Sequence, residues 1–191
     1  MRIAYVMIVV LMFAAPVQAS AQETGSDLFE QGYLESLSKL IDWIQRLDKK
    51  VGSWVKTEQT AQLGRRTERL AAQLYELCSS KQALVIAVNA RQSTAGQLRE
   101  RADKVSQDIQ NAFDALVRFG ADLVKAGEEG PEQAITSGLG GKAIMMEQIA
   151  DGLTTGQIDR KKIAAEVQNS YDLCRAAQAQ AAKIAVKLAG S

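Results

Sequence analysis

The chain has no histidine, two cysteines, two prolines and few aromatic residues, 5% in all. Without histidine it lacks the commonest general base, the commonest metal ligand and the side chain that ordinarily titrates near neutrality. Helical metal sites built on Glu-x-x-His or His-Glu-x-x-His are excluded, as is haem attachment through C-x-x-C-H. No cofactor or metal is expected. An excess of one charge is also missing. Lys and Arg number 23 against 22 Asp and Glu, leaving +1, which gives no general attraction to nucleic acid.

What is present begins with a processing segment. Arg2 precedes the apolar run Ile3–Ala15, Pro16 breaks it, and Ala19 and Ala21 form an A-x-A pattern before Gln22. This reads as a secretory signal peptide over residues 1–21, because the run falls short of the roughly 20 apolar residues a membrane span needs. No cysteine follows for lipid attachment and no twin arginine precedes, so the general secretory route is expected. The mature chain, 22–191, then has no net charge and no N-x-[ST] acceptor. A periplasmic or secreted location is expected, with no integral span after processing. In that oxidising setting Cys78 and Cys174 read as a disulfide. The competing readings are buried free thiols or a catalytic thiol, and the latter lacks a histidine to lower its pKa.

Residues 22–191 carry almost no strand signal. Apolar residues recur at alternating spacings of three and four in four stretches. The first is Tyr33, Leu37, Leu40, Ile44, Leu47, Val51 and Trp54, flanked by Leu34, Ile41 and Val55. The second is Leu63, Thr67, Leu70, Leu74, Leu77, Lys81, Leu84 and Val88. The third is Leu98, Ala102, Val105, Ile109, Ala112, Leu116, Phe119 and Leu123, and the last is Ile163, Val167, Ser170, Cys174, Ala177, Ala181, Ile184 and Leu188. Four such seams predict an all-α, elongated antiparallel bundle of four to five helices in a single domain, pinned by the disulfide. A turn is expected near Val55–Thr60. At Asn89–Ser93 either a turn or a continuous helix fits. Ser26 and Asp27 suit the start of the first helix, Asp159 with an Ile158–Ile163 staple the start of the last, and Gly190 its end.

Residues 127–157 differ. Gly-Glu-Glu-Gly-Pro-Glu is a break, with Pro131 expected in the first turn of a new helix. Gly138, Gly140 and Gly141 weaken that helix, so a Gly-rich broken helix or mobile lobe is expected. Gly138–Lys142 resembles a phosphate loop only superficially, since Thr136 and Ala143 occupy positions that need Gly and Ser or Thr. Glu128, Glu129 and Glu132 follow no EF-hand plan and read as a solvated acidic loop.

The remaining signal is uneven charge. Arg46, Lys49, Lys50, Lys56, Arg65, Arg66 and Arg69 face only Asp48, Glu58 and Glu68 along the same stretch. Solvated, internally paired faces account for this; the sharper alternative is a basic end that docks on an anionic partner or a lipid surface. Trp43, Lys49, Lys50, Arg65 and Arg66 are the candidate partner-binding residues, with Trp43 either a buried flank or an exposed anchor. With no catalytic constellation in view, the sequence points to a non-enzymatic, exported protein that binds another envelope protein through its helix faces. The alternatives are a subunit of a secretion or conjugation apparatus, or a carrier of a small apolar ligand with Met145 and Met146 near its mouth.

Overall fold

Every one of the four heptad stretches folds as a helix. The computed structural model describes residues 31–55, 57–90, 92–140, 152, 155 and 160–190. Its helices are α1 (Gln31–Val51), α2 (Glu58–Asn89), α3 (Ala95–Lys125), α4 (Gln133–Gly140) and α5 (Arg160–Gly190). Among the described residues there is no strand, and no helix is long and apolar enough to cross a membrane. The expected signal peptide, the Ser26 and Asp159 caps, Ile158, Gly141, Lys142, Met145 and Met146 lie outside the described residues.

The helix ends follow local chemistry. Thr57 and Thr60 form a reciprocal capping box, with Thr60 N–H on Thr57 Oγ1 at 3.2 Å and Thr57 N–H on Thr60 Oγ1 at 2.8 Å. That cap places the first turn slightly earlier than the expected Val55–Thr60. Thr94 and Gln97 form a second box, so the junction near residue 90 is a turn, not a continuous helix. Helix α3 stops at Gly127, which takes a φ of 82°. Gly127 N–H reaches the Val124 carbonyl and Glu128 N–H the Leu123 carbonyl, both at 3.0 Å, the arrangement that satisfies a helix's last carbonyls. Pro131 stands just before α4, not in its first turn: α4 begins at Gln133.

The seams point inward. All eight seam residues of α2, α3 and α5 are buried, and in α1 the six from Tyr33 to Val51 are buried with Trp54 partly so. Val55 does not join them: it is 77% exposed, because α1 has already ended. Around the bundle α1 packs on α5, α5 on α2 and α2 on α3, while α4 packs on both α3 and α1. Helix α4 is thus a wedge between α1 and α3. It buries Ile135 and Leu139, and Ser36 Oγ donates to its Ala134 carbonyl at 3.3 Å. Pro131 packs directly on Gly120 of α3, where a β-carbon would overlap its ring.

Direction follows from the cross-links. Arg66 of α2 meets Asp122 of α3 and Gln59 meets the Lys125 carbonyl, so α2 and α3 are antiparallel. Leu188 lies against Gly64 and Cys174 against Cys78, so α2 and α5 are antiparallel too. Helices α1 and α5 run parallel, since Tyr33 and Ser170 share one partner near their starts while Asp48 meets Lys183 and Lys187 near their ends. At about 1.5 Å per residue the long helices extend some 45 Å.

Candidate functional site

Two polar features stand out against this apolar frame, one internal and one at the surface. The internal one lies on the α2–α5 seam. Cys78 and Cys174 are bonded, with Cα atoms 5.7 Å apart, as their inward positions suggested. One turn further along both helices, Lys81 is completely buried. Its Nζ donates to Tyr33 Oη of α1 at 2.7 Å and to Ser170 Oγ of α5 at 2.5 Å. The Tyr33 ring centroid is 4.9 Å from the same nitrogen.

No carboxylate pairs with this lysine among the described residues. Loss of water is therefore not repaid by an opposite charge, and burial pulls the Lys81 amine down to about 7. Burial likewise pushes the Tyr33 phenol up, only partly opposed by its hydrogen bond with Ser170. Both groups tend toward their neutral forms. A serine beside a neutral lysine has the makings of an activated nucleophile, yet neither side chain is exposed. The apolar crevice that borders Tyr33, Leu37, Leu70 and Leu139 offers only about 10 Å³, no more than one water's room. As arranged, the cluster can hold or release a proton but cannot admit a substrate.

The surface feature is the end where α1 and α3 finish, α2 begins and α5 approaches its close. Three helix C-termini converge there, and Lys49, Lys50, Lys125 and Lys187 occupy their last turns, opposing the negative ends of the dipoles. Several cations are also neutralised by carboxylates from elsewhere in the chain. Arg46 meets Glu132 at 2.8 Å, Lys50 meets Glu128 at 3.6 Å, and Arg66 meets Asp122 at 2.8 Å. The Arg66 guanidinium foremost, with Lys125, holds the largely buried Asp122 carboxyl below its usual range despite desolvation. Burial pushes Asp48 up, but Lys183 and Lys187 outweigh it and keep the group low.

The five candidate partner-binding residues therefore divide. Trp43 is buried, its ring edge-on to Phe119 of α3 with centroids 5.9 Å apart. It takes the flank role and leaves the candidate surface, because its ring is buried against Phe119. Lys50 and Arg66 belong to ion pairs. Lys49 and Arg65 remain exposed with no carboxylate partner among the described residues.

Two arginines extend this surface. Arg66 and Arg69 of α2 and Arg118 of α3, with Gln73, Asn111 and Asp114, line a cleft of about 350 Å³ between the two helices. Arg69 and Arg118 are exposed and without an ion-pair partner among the described residues, while Asp114 already accepts from Gln110 Nε2 at 3.0 Å. Arg69 was within the basic run of the sequence. Arg118 was not, since only the antiparallel register of α2 and α3 sets it opposite Arg69. Lys81 was visible as a seam position but not as a paired group.

Among the described residues no cluster of acidic or cysteine side chains could hold a metal. Comparisons with protein-family models, with curated proteins and with solved structures find no match for this chain.

Proposed function

We propose that this chain is an exported, non-enzymatic helical-bundle protein that binds another envelope protein through the outer faces of α2 and α3. The observation that carries the reading is the pair of exposed cations lining the α2–α3 cleft, Arg69 and Arg118, which, like the exposed Arg65 and Lys49, have no carboxylate partner among the described residues. Guanidinium groups suit this role because they bind carboxylates in a fixed two-pronged geometry. Charge spared by the fold is free to steer an acidic partner surface and to fix its register. The apolar run and A-x-A site at the start of the chain support export.

The test is affinity capture of the tagged protein from its host's envelope after mild crosslinking. The wild type is compared with a variant carrying Lys49→Glu, Arg65→Glu, Arg69→Glu and Arg118→Glu. A stoichiometric protein partner, lost in the variant while its thermal melt is unchanged, supports the reading. Recovery of the bait alone, or equal capture by both forms, overturns it.

A further inference from the structure

The strongest unexplained group in the molecule is Lys81, a cation fixed in the core by two uncharged hydroxyls. It stands at the meeting point of three helices that are held together differently. Helices α2 and α5 are joined covalently through Cys78 and Cys174. Helix α1 has no such bond; near its start Tyr33 hydrogen-bonds Lys81 of α2 and Ser170 of α5, and its other end is held by Asp48 on Lys183 and Lys187. We propose that Lys81, Tyr33 and Ser170 form a proton-operated latch, in which proton uptake by Lys81 releases the start of α1 from the disulfide-pinned α2–α5 pair.

Among the described residues the buried ammonium has only two uncharged hydroxyls as hydrogen-bond partners. On α1 the facing titratable group is Tyr33 itself, and Asp48 is engaged by two lysines at the far end. On α3 Asp122 is taken by Arg66 and Lys125, and Asp108 pairs through Oδ1 with Lys104 and keeps a buried, unbonded Oδ2, but makes no ion pair or hydrogen bond with Lys81 among the described residues. Helix α4 carries no titratable side chain. On α5 Ser170 is neutral and Tyr171 partly buried, and Glu166, one turn earlier, is itself engaged in an interaction. Both hydroxyls can accept from the ammonium, but neither neutralises it. Once α1 lifts away, the amine reaches water and recovers its ordinary basicity.

The sign follows from the two proton affinities. The open form binds a proton with the usual lysine pKa near 10.5, the closed form only below about 7. Opening is thus least favoured above 10.5, grows as pH falls between these values, and levels off below 7. Between pH 9 and pH 7 the opening constant should rise by about 50-fold.

Hydrogen exchange followed by mass spectrometry on the oxidised full chain from pH 6.5 to 9.5, corrected for intrinsic exchange rates, reads this directly. Amides over 33–40 should show the roughly 50-fold rise in opening between pH 9 and pH 7, whereas the α2 and α5 segments around the disulfide stay protected. Lys81→Met should flatten the pH dependence while the chain remains helical. Tyr33→Phe, which keeps the ring and removes one acceptor, should retain the slope with a larger opening constant throughout. The proposal is overturned if Lys81→Met keeps the wild-type slope, or if α1, α2 and α5 open in step.

Discussion

Lys81 hydrogen-bonds Ser170 across the α2–α5 seam one helical turn from the bridge joining Cys78 to Cys174. A covalent tie and a fully buried amine thus occupy successive layers of the same interface. Because the amine's proton affinity falls on folding, its contribution to stability is worked out from a lowered pKa. The unfolded chain holds more protons between about 7 and 10.5, so stability rises with pH over that range and is constant below it. Lys81→Met should remove this dependence and give a melting temperature at pH 7 equal to or above that of the wild type. The gain from removing a desolvated cation outweighs two hydroxyls left with fewer partners. Thermal melts at pH 7 and pH 9.5 check it.

The disulfide closes a long loop, so its loss should be costly. Cys78→Ser with Cys174→Ser should destabilise by about 4–5 kcal/mol if constraint of the unfolded chain dominates. Denaturant titration of the two proteins measures the difference, and alkylation with intact-mass analysis of the oxidised wild type should find no reactive thiol.

Gly120 is required where the chain after α3 folds back over that helix. In Gly120→Ala the new methyl overlaps the Pro131 ring, and relief means displacing the segment that leads into α4. A loss of about 1–3 kcal/mol is expected. Gly64→Ala, whose β-carbon would meet Leu188 Cβ at 3.3 Å, should cost less because the approach is far milder and α5 need give only a few tenths of an ångström. Paired urea titrations rank the two.

Trp43 and Arg65 separate folding from docking. Trp43→Ala removes a buried ring from its contact with Phe119 and should cost about 3–5 kcal/mol. Arg65→Glu should leave stability within about 0.5 kcal/mol while weakening capture of a protein partner. If Arg65→Glu unfolds the chain as Trp43→Ala does, the exposed cations serve the fold instead of a partner.

Acid should act through Asp48 and Asp122, whose carboxyls are held below their usual 3.8 by their cationic partners. Their stabilising effect is present above that value and is lost as pH falls through the lower, folded-state pKa. Asp122→Asn should lower stability at pH 7 and make the remaining decline between pH 4 and pH 2 shallower. Fluorescence-monitored acid unfolding tests both.

The seams were legible because burial has the period of the helix. Even Thr67, Lys81 and Ser170, polar as they are, sit inside at the positions their spacing assigns. What the residues at those positions do to one another was not legible, since Tyr33, Lys81 and Ser170 belong to three helices whose neighbours no periodicity specifies. The basic run suffered from the same blindness. Glu128, Glu132 and Asp122 neutralise Lys50, Arg46 and Arg66 from about 60 to 90 residues away in sequence, so a local tally of charge overstated what remains free. Arg118 was hidden for the converse reason: nothing near it in sequence is basic enough to draw notice.

The parallel pairing of α1 with α5 has a consequence for how the molecule is assembled. Asp48 and Lys183 are 135 residues apart, and the helices that carry them are the first and last of those described. Local helix formation is fast, but uniting these two requires closure of nearly the whole chain, with α4 seated along the way. Such long-range closure slows folding relative to bundles whose neighbours are consecutive in sequence. During synthesis the seam of α1 that α5 will cover therefore stays exposed until the final helix arrives, so a chain lacking that helix presents an unfinished apolar face to whatever surrounds it.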